Sequence, residues 1–112
     1  MTDLIPDDLK LPLIENGKQA AAGVPIDPEP LVKLFAPWTN VTWFISELSP
    51  RDPHIAFGVA DFHGEIELGS FDLREIARLE GPGGDRVQRD LYFTPKGTIS
   101  DYWNPISSTL KP

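Results

Sequence analysis

Four side chains in mid-chain have types and spacing that chemistry could use: Asp61, His63, Glu65 and Glu67, in the pattern D-x-H-x-E-x-E. On one unbroken strand, residues two apart point to the same side, so three of these groups could ligate a divalent metal. His63-Gly64 argues against an unbroken strand. Glycine supplies the positive φ of a two-residue hairpin loop, and a turn there would splay the groups around a solvated tip. The turn is the favoured reading, which leaves Asp61, His63 and Glu65 as weak metal candidates.

Other groups carry partial signals. Arg89 and Asp90 are adjacent on an expected strand and so point to opposite faces. Arg89 could then reach an acid on a neighbouring strand, such as Glu47 or Glu67, or hold a partner. Gly81-Pro82-Gly83-Gly84 is glycine-rich but follows a helix, whereas a phosphate cradle opens one; Arg86 and Arg89 nearby could still grip an anion. His54 stands beside Asp52, but Ser46, Ser49, Ser70 and Ser100 lack the strand–turn–helix context of an activated serine. Three aromatics outside regular core positions, Trp38, Tyr102 and Trp103, suit either partner anchors or lids on the edges of a small core. No stretch completes a catalytic or cofactor motif, so no catalytic residue and no cofactor is expected.

The composition narrows the classes. The chain has 112 residues, the size of a single domain. Its 17 acids and 10 bases give a net charge of −7. The first 56 residues carry −4 and the rest −3, so the acidity is spread along the chain. Phosphate contacts need clustered Lys and Arg, and direct nucleic-acid binding is therefore not expected. Without cysteine there is no disulfide, thiolate nucleophile or Cys-based metal site. The N-terminus lacks the long apolar core of a secretory signal, and no run reaches the ~18 apolar residues of a membrane span. A cytoplasmic protein is the expectation.

The elements that must position these residues read as α+β: a mainly antiparallel sheet of five or six strands, one well-defined helix over about 73–80, and a short N-terminal helical segment. Thr2 and Asp3 can cap a first helical turn, and Pro6, Asp7 and Asp8 suit a helix start. Pro12 should end or kink that helix near Leu11, and Asn16-Gly17 reads as a stop. Residues 23–30 hold three prolines and form a loop. Strands are expected over 31–36, 41–48, 55–62, 65–71 and 87–94, with Gly58 marking a bulge or a close backbone approach. Asp72 to Glu75 has the D-x-x-E spacing of a capping box, and Gly81 should end the helix it opens. Residues 98–103 form a sixth strand or a helical turn, and 104–112 a loose tail. Helices on one face of the sheet would leave the other face or a strand edge for docking.

Five pieces in this order resemble a family: P-x-V-K-L-F-x-P at Pro30 to Pro37, T-W-x-x-x-E at Thr42 to Glu47, F-G-x-x-D at Phe57 to Asp61, E-x-G-x-x-x-L-x-E at Glu67 to Glu75, and R-D-L-x-F at Arg89 to Phe93. Together they resemble the bacterial family catalogued as domain of unknown function 2958, over nearly the whole chain. The His63-Gly64 hairpin departs from the more glycine-rich loop expected there. The resemblance implies small single-domain proteins, often associated with mobile elements, and carries no catalytic residue. The expected function is a small acidic accessory module that binds another protein. The alternative is a small-molecule or metal binder, or an enzyme, using the carboxylates with His63 or Arg89.

Overall fold

The structure, a computed structural model, describes residues 4–104. The expected cap at Thr2 and Asp3, and the expected tail from residue 105 onward, lie outside the described residues. Helix α1 (Asp7–Ala21) precedes strands β1 (Val32–Ala36), β2 (Val41–Leu48), β3 (Ile55–Phe62) and β4 (Glu65–Asp72). Helix α2 (Leu73–Arg78), strand β5 (Gln88–Arg89) and helix α3 (Ile99–Trp103) follow. The five strands form one antiparallel sheet in the order β4-β3-β2-β1-β5, so the fold is α+β as the pattern predicts. His63 (φ 56°) and Gly64 (φ 95°) turn β3 into β4 as the expected two-residue hairpin.

The long helix is α1, where a short broken segment is expected. Pro12 lies inside it, one turn after its start. There the missing amide leaves only the exposed Asp8 carbonyl without its helical partner, and water can satisfy that group. Asn16-Gly17 does not stop the helix; it docks it. A Cβ at Gly17 would overlap the Leu48 carbonyl, so only glycine lets the helix lie against β2. Asn16 Nδ2 donates to the Ser46 carbonyl at 3.1 Å. Ser46 is the extra residue of a β-bulge, since Ile45 pairs with Gly58 and Glu47 already pairs with Phe57. Ser46 Oγ donates to the Phe57 carbonyl, and a Cβ at Gly58 would overlap the Phe44 carbonyl. The close approach expected at Gly58 is therefore present, with the bulge in the facing strand.

This arrangement gives the sheet two faces. One carries Val32, Leu34, Trp43, Ile45, Leu48 and Ala56, and Leu13 of α1 with Leu73 and Ile76 of α2 completes that core. The other face carries Lys33, Phe35, Thr42, Phe44, Glu47, Phe57, Val59 and Asp61. The short α3 covers part of it, with the Tyr102 ring centroid 4.5 Å from that of Phe44. Leu68 pairs in register with Val59 on this second face and is 40% exposed, because α3 covers only part of it.

Three element ends differ from expectation. Helix α2 stops at Arg78, two residues short, since Leu79 is exposed and adds nothing to the buried pair Leu73 and Ile76. Gly81 lies under the Trp38 ring, where a Cβ would overlap the indole. The expected strand over 87–94 survives only at Gln88–Arg89. Asp90 Oδ1 accepts from the Tyr92 amide at 2.9 Å, and this local turn diverts the chain from the ladder. The segment that follows is the helix α3, opened by a capping box between Thr98 and Asp101, with the Thr98 amide donating to Asp101 Oδ2 at 3.0 Å.

Gly17→Ala should destabilise the protein by about 1–3 kcal/mol, the cost of overpacking at a closed contact. Urea unfolding followed by circular dichroism checks this, with Gly64→Ala at the open hairpin tip as a test of backbone strain alone.

Candidate functional site

An open groove of about 880 Å³ lies at the end of the sheet where the β1–β2 turn and the β3–β4 hairpin meet. Its lining includes Lys33, Phe35 and Thr42 from the sheet, Asp61 and His63 from the hairpin, and Arg89 to Tyr92. The structure thus gathers Asp61, His63 and Arg89 around one groove, which their sequence separation does not reveal. Asp61 Oδ1 accepts from the Gly64 amide at 2.8 Å, and His63 Nε2 lies 3.2 Å from Thr39 Oγ1. Glu65 is absent from the lining, and no three His, Cys, Asp or Glu side chains converge as metal ligands among the described residues.

Electrostatics inside the groove are mixed. Lys33 Nζ is 3.7 Å from Asp90 Oδ2. Arg89 reaches neither Glu47 nor Glu67; it pairs in register with Leu34 at one side of the sheet, while Glu67 lies on β4 at the far edge. Among the described residues Arg89 makes no ion pair. Leu91 and Tyr92 stand on the groove wall 68% and 92% exposed. Sequence reading places them on a strand; the Asp90 turn is what pushes them outward.

The remaining candidates are placed as follows. Trp38 is half-buried against the core over Gly81, as a lid. Tyr102 stacks with Phe44 and Phe93, and its hydroxyl accepts from the Lys96 amide at 3.1 Å. Trp103 lies one turn after the buried Ile99 on the same side of α3 and is 48% exposed at the end of the helix. Arg86 does not await an anion: its guanidinium reaches the Ala77 and Arg78 carbonyls at the end of α2 and pairs with Glu80.

His54 and Asp52 do meet, at 3.2 Å, but as part of a brace. Arg74 bridges Asp52 at 3.2 Å and Asp72 at 3.0 Å, and Asp72 also caps α2 by accepting from the Arg74 amide. The reciprocal half of the expected capping box does not form in this way: Asp72 pairs in register with Ile55 in the β3–β4 ladder, and Glu75 is exposed. Ser49 Oγ accepts from the Arg51 and Asp52 amides, a turn role that leaves His54 no serine. Hydrogen bonds from His54 hold the Asp52 carboxyl below its usual range, and those from Arg74 do the same for Asp72.

Because these two folded-state values are depressed, the brace contributes stability above the ordinary carboxylate value of 3.8 and loses it as pH falls further. Asp72→Ala should lower the melting temperature at pH 7, and the gap to the parent should narrow below pH 3.8. Calorimetry across that range checks both.

Known proteins give one comparison. The family model described as protein of unknown function (DUF2958) matches residues 4–109, nearly the whole chain. The chain belongs to this family. No curated protein and no solved structure matches it. No helix among the described residues is long and apolar enough to cross a membrane.

Proposed function

We propose that this family member is an accessory protein-binding module, acting in the cytoplasm in the mobile-element setting that its family resemblance implies, and that a partner's extended segment docks in the hairpin-end groove. One observation carries this reading: adjacent Leu91 and Tyr92 are 68% and 92% exposed on the wall of this groove. Large side chains left in water beside a concavity gain most when a partner covers them. The Phe35 floor offers apolar area, and Lys33, Asp90 and Arg89 offer charge of both signs to fix register. An open groove suits a peptide better than a small molecule, which needs most of its surface enclosed. The small-molecule alternative is further weakened because Asp61 and His63 already hold the hairpin.

The double variant Leu91→Ala/Tyr92→Ala should leave the melting temperature close to that of the parent. It should weaken capture of a partner from host lysate roughly tenfold or more, the effect of losing two anchor side chains. Hydrogen exchange on the purified complex should show protection over 88–92. Capture unchanged by the double variant, or protection confined elsewhere, overturns the assignment.

A further inference from the structure

Glu47 raises a separate question. It lies on β2 just after the bulge, on the face opposite α1, paired in register with Phe57. A groove of about 550 Å³ opens beside it, lined by Val24, Ile26, Glu47, Phe57, Leu68 and Trp103 among others. Among the described residues, the half-buried Glu47 carboxylate makes no hydrogen bond and no ion pair. The other carboxylate that lines the groove among the described residues, Asp27, is occupied by Thr98 and Ser100 hydroxyls at 2.7 and 2.6 Å. Among the described residues, no Lys, Arg or His lines the groove. Phe57 is half-buried there, whereas Leu68 and Trp103 are 40% and 48% exposed. The hairpin-end groove is elsewhere, since it takes in β2 at Val41 and Thr42, at the other end of the strand.

We infer that this groove receives the side chain of a lysine from a basic partner segment, its ammonium on Glu47 and its methylene stem along Phe57, Leu68 and Trp103. Charge is the first reason. Among the described residues the groove presents two carboxylates and no cation, in a chain of net charge −7. Shape is the second: an aliphatic stem ending in a compact charge fits an apolar trough with one free carboxylate, whereas a guanidinium seeks a fork of acceptors. The aromatic rings add a third contribution, because an ammonium near an indole or phenyl face is attracted to it. Burial also pushes the Glu47 carboxyl above its usual range. A cation there would bring it down again and relieve the desolvation that now acts uncompensated.

The test uses a blocked Gly-Lys-Gly peptide against its norleucine counterpart, which has the same stem length without the charge. Backbone and indole resonances of the full chain are followed by two-dimensional NMR. The lysine peptide should shift the Glu47, Leu68 and Trp103 signals and bind roughly tenfold more tightly than the norleucine peptide, a difference that added salt shrinks. Glu47→Gln, nearly isosteric, should abolish the difference and keep the spectrum folded. The same variant should melt higher than the parent at pH 7 and equally at pH 4. The raised carboxyl favours the native state below its ordinary value of 4.5 and withdraws that contribution as pH rises through its folded value. Equal binding of the two peptides, shifts confined to other residues, or a lysine preference that survives Glu47→Gln overturns the inference.

Discussion

The structure depends on one close approach. Helix α1 can lie on β2 only because Gly17 has no side chain to meet the Leu48 carbonyl. Asn16 then donates to the carbonyl of Ser46, the bulged residue, so the helix is registered on the irregularity of the strand. Gly58 plays the matching part from β3, where a Cβ would strike the Phe44 carbonyl. Two glycines and one asparagine thus fix helix, bulge and neighbouring strand together. The bulge has a consequence for surface chemistry. Alternation slips by one residue across Ser46, so Ile45 faces the core while Glu47 and Phe57 share the opposite face. Without that slip Glu47 would point beneath α1, where no partner for a carboxylate is available.

The strands and their order of appearance were legible because they rest on local patterns: β-branched and aromatic alternation, and a His-Gly loop that admits positive φ. What escaped sequence reading depends on tertiary contact. Pro12 is a helix breaker by propensity, yet burial of Leu13 and the Gly17 contact hold the helix through it. Asn16-Gly17 has the composition of a stop and the role of a docking surface. Asp90 ends β5 through a side-chain bond to its own backbone two residues on, a signal present in the sequence but overridden in reading by the apolar run after it.

The candidate surfaces were legible in part. Asp61, His63 and Arg89 were identifiable as residue types, but their meeting around one groove follows from strand order, which local periodicity does not encode. Leu91 and Tyr92 read as sheet residues and became exposed only through the Asp90 turn. Asp27, in a proline-rich stretch that looked like a plain connector, ties that stretch to α3 through Thr98 and Ser100. Burial pushes its pKa up, but the three bonds together outweigh that and bring it below the usual value, so it stays charged where the chain folds over the second face. The loop is a structural wall of the Glu47 groove, which no count of prolines would indicate.

Glu47 is the clearest local conflict in the fold. Among the described residues, five Lys and Arg side chains are tied to acids nearby: Lys10 to Asp7, Lys18 to Glu15, Lys33 to Asp90, Arg74 to Asp52 and Asp72, and Arg86 to Glu80. Those acids are mostly exposed, where an ion pair adds little. Glu47 is the acid for which desolvation stands alone as the perturbing influence, and no described cation answers it. A glutamine or an aliphatic residue at the same place would avoid that cost. When one residue breaks the consistency that surrounds it, the uncompensated group has its use in another state of the molecule, and for a carboxylate facing aromatic rings that state is one with a cation bound. Net charge of −7 extends the same preference outward, because it draws basic partners toward the chain before short-range contacts select the groove.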